Sequence, residues 1–198
     1  LWPEGRVGGG YDTPTQWSQL AQLLTNAIAG IRDAAGQQMP AIMIHIDRGG
    51  DWGGTQWFFD RLLQQQVPFD LIGLSYYPFW HGNFDALSNC LHNTALRYAK
   101  PVVIAETAFP WTGSGDLNGL PPTPAGQVQF VTRLAQIVRN LPGGRGAGII
   151  WWGAEYQRTP GYSLAGFDQR SFYDLGGNVL PVANAFGNAT AFTQPIQE

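Results

Sequence analysis

The sequence predicts an α/β fold built on a parallel sheet, and three observations carry that prediction. Short apolar runs without polar alternation, such as Val102-Val103-Ile104-Ala105, read as strands buried on both faces. Segments with apolar residues at spacings of three and four lie between them, and strand alternating with helix means a parallel sheet. The apolar runs end in polar residues, most plainly at Glu106, which places polar chemistry at the C-terminal rim of the strands.

Residues 1–14 read as a Gly/Pro-rich loop, with Thr13 or Thr15 as the N-cap of a first helix and Pro14 in its first turn. Trp17, Leu20, Leu24, Ala27, Ile28 and Ile31 form one apolar face, and Gly36 is the expected stop. Residues 41–47 are the first strand, ending at His45 and Asp47. A Gly-rich loop over 48–54 leads into a helix over 55–66 that buries Phe58, Phe59, Leu62 and Leu63. The second strand, 69–77, runs through Ser75 and Tyr77 into Pro78-Phe79-Trp80-His81-Gly82. Asn83 or Asp85 then caps a helix with Leu87, Cys90, Leu91, Ala95 and Tyr98 inward. The Glu106 strand follows Lys100-Pro101. After a Gly/Pro loop over 113–122, Thr123-Pro124 starts a helix carrying Val128, Val131, Leu134, Ile137, Val138 and Leu141, with Gly143-Gly144 as its end. Residues 148–152 are the fourth strand, a loop and closing helix come next, and the tail after Asn188 reads as frayed. Four strands cannot close a barrel, which usually takes about 250 residues. The chain is therefore either a small open α/β sheet or half of a barrel.

Composition narrows the function. The 198 residues suffice for one domain with a core. A net charge of -3 and the lack of a basic patch argue against a nucleic-acid partner. No apolar run is long enough to suggest a membrane span. Cys90 stands alone, which excludes a disulfide framework or thiolate metal site, and three scattered His do not suit catalytic zinc. Residues 1–5 lack a signal-peptide pattern and are expected to follow earlier chain. No G-x-G-x-x-G opens a helix after a strand, and neither G-K-[ST] nor G-x-S-x-G occurs. Charged residues are only 13% while Trp numbers 8, a balance that suits neutral, hydroxyl-rich ligands whose rings stack on aromatics.

The strand ends bring His45, Asp47, Ser75, Tyr77, Glu106, Trp151 and Trp152 toward one mouth if the strands are in register. Trp80, Trp111 and Trp152 are candidate stacking platforms, and Tyr77 is placed to hold a carboxylate. His45 is read either as a rim group or as a satisfied core imidazole. Glu106 has the alternative of capping a helix or pairing with an Arg. Asp51 and Asp70 read as loop and strand-start residues.

Four stretches carry a family resemblance: Leu1-Trp2-Pro3-Glu4-Gly5, Ile42-Met43-Ile44-His45-Ile46-Asp47, residues 69–82 (FDLIGLSYYPFWHG) and residues 102–112 (VVIAETAFPWT). The sequence resembles glycoside hydrolase family 53, the endo-β-1,4-galactanases, over most of residues 1–155 and less thereafter. The resemblance implies a (β/α)8 TIM barrel, of which this chain supplies about the last four β/α units, with residues 1–198 as the C-terminal half of one catalytic domain. It implies retaining hydrolysis of β-1,4-galactan side chains of pectin, with Glu106 as nucleophile. The acid/base Glu belongs to a G-N-E segment upstream of Leu1, and Glu4 lies past that motif. His45, Asp47, Ser75, Tyr77, Trp80, His81, Trp111 and Trp152 are expected to line the cleft. The family's Trp-Glu-Pro at the last strand is replaced by Trp152-Gly153-Ala154-Glu155. Trp152 still fits a sugar-stacking role, while Glu155 is shifted. No organic cofactor is implied. Some members hold calcium, for which only Asp116 and Asn118 offer oxygens in the loop after Glu106. Further implied are a secreted or periplasmic location and a missing N-terminal half-barrel as partner. Two rival readings are a non-catalytic galactan-binding module and a related β-glycosidase with another sugar preference.

Overall fold

The computed structural model describes residues 13–162 and 164–189. The expected loop over 1–12, including Glu4, and the tail from 190 onward lie outside the described residues. The elements are α1 (Pro14–Ala35), β1 (Met43–Ile46), α2 (Trp52–Gln64), β2 (Leu71–Tyr76), α3 (Phe84–Tyr98), β3 (Val102–Thr107), α4 (Pro124–Arg139), β4 (Gly146–Trp151) and α5 (Val182–Ala189). The sheet is parallel throughout, in the order β1-β2-β3-β4. Each strand neighbours the next in sequence because each crossover helix returns the chain to the same edge.

Side-chain oxygens start the helices as the sequence suggests. Thr13 caps α1 in a reciprocal capping box with Gln16, Asn83 accepts from the Ala86 N–H, and Thr123 accepts from the Gly126 N–H. Gly36 ends α1 at φ 59°. Several boundaries differ from expectation. α2 begins at Trp52 rather than Thr55, because the Asp51 side chain accepts from the Gly54 N–H and carries the helix across Gly53-Gly54. Asp51 is thus a cap, not a plain loop residue. α4 stops at Arg139, and Pro142–Gly144 forms a separate tight turn. β1 starts at Met43, and the Asp70 carboxylate accepts the Ile42 N–H just ahead of it. On α1, Ala27 and Ile31 are exposed although their spacing placed them inward.

The core lies between the sheet and its helices. Ile72, Leu74, Tyr76, Val102, Ile104, Ile149 and Trp151 of the sheet pack with Phe59, Leu87, Leu91, Phe130 and Leu134 of the helices. Alternation sends the other side chains to the opposite, inner face. Gly73 lies there: an added Cβ would come within 3.2 Å of the His45 Cβ and 3.1 Å of the Ala105 Cβ.

Candidate functional site

The rim is shaped by a bulge in β3. Leu74 pairs with Ile104, but Ser75 pairs with Glu106, so Ala105 is an extra residue. The same surplus shows against β4, where Ile104 pairs with Ile149 and Thr107 with Trp151. Strict alternation would turn Glu106 to the helix side, beside Ile104, and Thr107 to the inner face. The bulge instead puts Glu106 level with Ser75 and keeps Thr107 buried, with its hydroxyl donating to the Tyr76 carbonyl at 2.6 Å.

Glu106 is half-buried and accepts a 3.3 Å hydrogen bond at Oε2 from the Tyr77 hydroxyl. Burial, and then the Glu106 charge and hydrogen bond, push the Tyr77 pKa well above that of an exposed tyrosine. The hydroxyl therefore remains a donor at all neutral pH values. The Tyr77 backbone N–H donates to His81 Nδ1 at 3.0 Å, which leaves the neutral His81 ring its proton on Nε2. His45 Nε2 lies 2.7 Å from Ser75 Oγ across the β1–β2 pair. Burial lowers the pKa of both imidazoles, with nearby carboxylates opposing the shift, Glu106 most at His45 and Asp47 most at His81.

Aromatic rings frame these groups. The Tyr77 ring centroid lies 5.2 Å from Trp80, 5.5 Å from Phe79 and 6.2 Å from Phe167. Trp80 is 62% exposed and Trp152 43%, so both offer faces to a ligand. Asp47, Trp80 and His81 line an open pocket of about 400 Å³ with Arg48, Gly50 and Asp51. The structure thus brings His45, Asp47, Ser75, Tyr77, Trp80, His81 and Glu106 to one end of the sheet. Trp151 is not at the mouth. Neighbouring strand residues face opposite sides, so Trp151 is buried against Phe130 and Phe172 while Trp152 lies beyond the strand end. Trp111 is half-buried and tied down, its indole N–H donating to the Asp168 carbonyl at 3.3 Å. Glu155 is exposed and lines a different pocket, with Tyr156 and Tyr162.

The two calcium candidates each make a hydrogen bond within the fold. Asp116 Oδ1 accepts the Gly119 N–H at 2.5 Å, and Asn118 Nδ2 donates to the Tyr76 hydroxyl and the Gly82 carbonyl. Calcium takes six to eight oxygens, and among the described residues no group of three acidic, His or Cys side chains could hold a metal ion. Two such side chains are too few to fit calcium.

Phe79, Phe167 and Arg170 were missed by the sequence reading. Arg170 lies 4.4 Å from the Phe79 and Phe167 ring centroids. The only signal for it is a lone cation among the aromatics of residues 167–173.

A parallel β/α sheet whose C-terminal rim holds a carboxylate among tyrosine, histidine and exposed tryptophans belongs with the (β/α)8 barrels that work at that rim. The family profile described as glycosyl hydrolase family 53 matches residues 1–186. The chain belongs to that family. It is 34% identical over 165 residues to an arabinogalactan endo-beta-1,4-galactanase of Thermothelomyces thermophilus, covering 77% of this chain and 47% of that protein. It is 45% identical over 166 residues to an uncharacterized protein of Niallia circulans named for the bgaB 5' region, covering 77% and 45%. Among solved structures it superimposes on the Ignisphaera aggregans GH53 catalytic domain with a TM-score of 0.79 at 27% identity, covering 88% of this chain and 53% of that one. A Cellvibrio japonicus xylanase shares the fold, at TM-score 0.62 and 15% identity. The chain spans about half the length of the curated relatives it matches. Its fold is four consecutive β/α units of the family's barrel.

Proposed function

We propose that this chain forms the C-terminal half of an endo-β-1,4-galactanase acting on (arabino)galactan, with Glu106 as the nucleophile of a retaining mechanism. The observation that carries the proposal is the bulged β3, which sets Glu106 beside Ser75 and under the Tyr77 hydroxyl at the centre of the aromatic rim. The relatives named as arabinogalactan endo-beta-1,4-galactanases supply the substrate class.

In this reading Glu106 attacks the anomeric carbon and forms a glycosyl-enzyme. A second carboxyl about 5–5.5 Å away protonates the leaving oxygen and then deprotonates the incoming water. That second group belongs to the N-terminal half-barrel, ahead of Leu1. Tyr77 holds Glu106 in line, His81 fixes the Tyr77 backbone, and Trp80 and Trp152 stack on galactose rings. Asp47, His45, Ser75 and Trp111 complete the cleft wall. A polymeric substrate too large to enter a cell implies secretion or a periplasmic site, with galactan side chains of pectin as the natural source.

The test uses the natural polypeptide on β-1,4-galactan, with mannan and cellulose oligomers as competitors. Glu106→Gln should lose turnover by several orders of magnitude and still bind galactan. Glu106→Ala should recover activity with azide and release α-galactosyl azide, because azide then occupies the nucleophile's face. Turnover retained in Glu106→Gln would refute the assignment. Galactan binding without turnover in the unmodified protein would favour a binding module, and preference for mannan or cellulose a related β-glycosidase.

A further inference from the structure

The residues after β4 fold back over the rim and reach the loop after β2. A short turn at Phe167–Gln169 is pinned to the barrel rim by two tryptophans. The Trp111 backbone N–H donates to the Gln169 carbonyl at 2.9 Å, and the Trp151 indole to the Arg170 carbonyl, also at 2.9 Å. So held, the turn presents Phe167 edge-on to the Tyr77 ring at an interplanar angle of 82°. Phe79 meets the same ring from the loop after β2. The Arg170 guanidinium bridges Phe167 and Phe79, 4.4 Å from each centroid, and is half-buried. No salt bridge to a carboxylate is seen for it among the described residues, and its cation faces ring faces instead. Burial accordingly lowers its pKa.

We propose that Arg170 is a positioning residue: it clamps Phe79 and Phe167 around the Tyr77 ring and thereby holds the Tyr77 hydroxyl on Glu106. The proposal rests on the assignment of Glu106 as nucleophile. Once its backbone is fixed by His81, Tyr77 is left free to turn only about its two side-chain torsions, χ1 and χ2. Phe79 and Phe167 limit that rotation only if they stay together. They come from loops after different strands, and Arg170 is the cation that joins them. Loss of the guanidinium lets the two loops separate, lengthens the already long Tyr77–Glu106 bond, and leaves the substrate contact at Trp152 in place.

The prediction concerns kcat rather than KM. A misplacement of about 1 Å can lower a rate about a hundredfold, so partial loosening of Tyr77 by Arg170→Met should lower kcat about tenfold with KM changed less than about twofold. Arg170→Lys keeps the cation but not the planar face, and should recover only part of that loss. The decisive measurement is a double-mutant cycle in the natural polypeptide, with kcat, KM and Tm determined on galactan oligosaccharides. If Arg170 acts through Tyr77, then Arg170→Met in a Tyr77→Phe background changes kcat by less than about twofold. Effects of the two substitutions that multiply fully would overturn the clamp, as would a rise in KM at constant kcat. Should Arg170→Met not fold, Arg170→Lys is read in the same cycle with the same criteria. Glu106→Gln is run alongside: turnover retained there overturns the nucleophile assignment and the clamp together, whereas an inactive Glu106→Gln with multiplicative Arg170 effects overturns the clamp alone.

Discussion

Tyr77→Phe isolates one contact. The phenylalanine keeps the ring packing against Phe79, Trp80 and Phe167 and removes only the hydroxyl that donates to Glu106 at 3.3 Å. Hydroxyl-to-carboxylate bonds are normally 2.5–2.7 Å, so this one lies at the weak end. Its net contribution to stability should be about 0.5–1 kcal/mol. Glu106 is half-buried, and water can replace the lost donor, so no buried charge is stranded. A domain of this size loses about 2–4 °C of Tm per kcal/mol, and the variant should therefore melt within a few degrees of the parent. Catalysis should suffer more, because in the proposed mechanism the bond orients the attacking oxygen of Glu106. A loss of about 1.4 kcal/mol in the transition state is tenfold in rate, and kcat on galactan oligosaccharides should fall by about that factor. Thermal melts and initial rates on the natural polypeptide measure both quantities. A kcat within about twofold of the parent, in a variant whose Glu106→Gln counterpart is inactive, would refute the role given to Tyr77.

Gly50→Ala should be costly although Gly50 sits in a loop: an added Cβ would overlap the His81 carbonyl oxygen, and backbone cannot move aside cheaply. A loss of about 1–3 kcal/mol is expected by chemical denaturation, together with weaker galactan binding as the Trp80-His81 segment shifts. Acidification should also destabilise the protein. Burial holds the folded-state pKa values of His45 and His81 below the ordinary histidine value of about 6.5, so their contribution is complete above that pH and is lost as pH falls through the folded values. Urea midpoints measured from pH 7 to pH 5 should fall, and His81→Asn, which removes the titrating ring, should flatten the slope.

The elements were legible because their periods are local properties. The apolar spacing of α3 and α4 and the caps at Thr13, Asn83 and Thr123 depend on residues within one or two turns. Glu106 was legible as a strand-end carboxylate, and Tyr77 as its partner. What could not be read is set by neighbours far along the chain. The bulge at Ala105 exists only as a mismatch between three strands. Gly49 and Gly50 read as flexible loop, yet a Cβ on Gly49 would lie 2.5 Å from the Ser75 carbonyl oxygen, so they mark close approach of backbones. Arg170 could not be assigned because its two ring partners lie in segments ordered by different strands. Trp151 and Trp152 are a different case: strand alternation alone separates them, since adjacent residues cannot share a face.

The sheet is finished on one side only. Its helix-facing side is packed, and Ile149 and Trp151 are buried there, but Ile150 between them is 51% exposed. On the inner face Gly73, Ala105 and Gly148 lie among the larger Met43, His45, Val103 and Ile150, so that face has gaps between its bulky side chains. Barrel interiors are filled by layers of side chains from alternate strands, and a face interrupted by glycine and alanine calls for further groups from across the axis. Among the described residues β1 pairs only with β2 and β4 only with β3, which leaves both sheet edges with unpaired backbone groups. Exposed edges of this kind recruit other strands. The 198-residue polypeptide made alone should therefore dimerise or precipitate, and a longer polypeptide that supplies four preceding strands should be monomeric and more stable to heat. Light scattering on the two separates the cases. A well-behaved monomer of the 198-residue chain, with Ile150 exposed and both edges free, would count against its being half of a barrel.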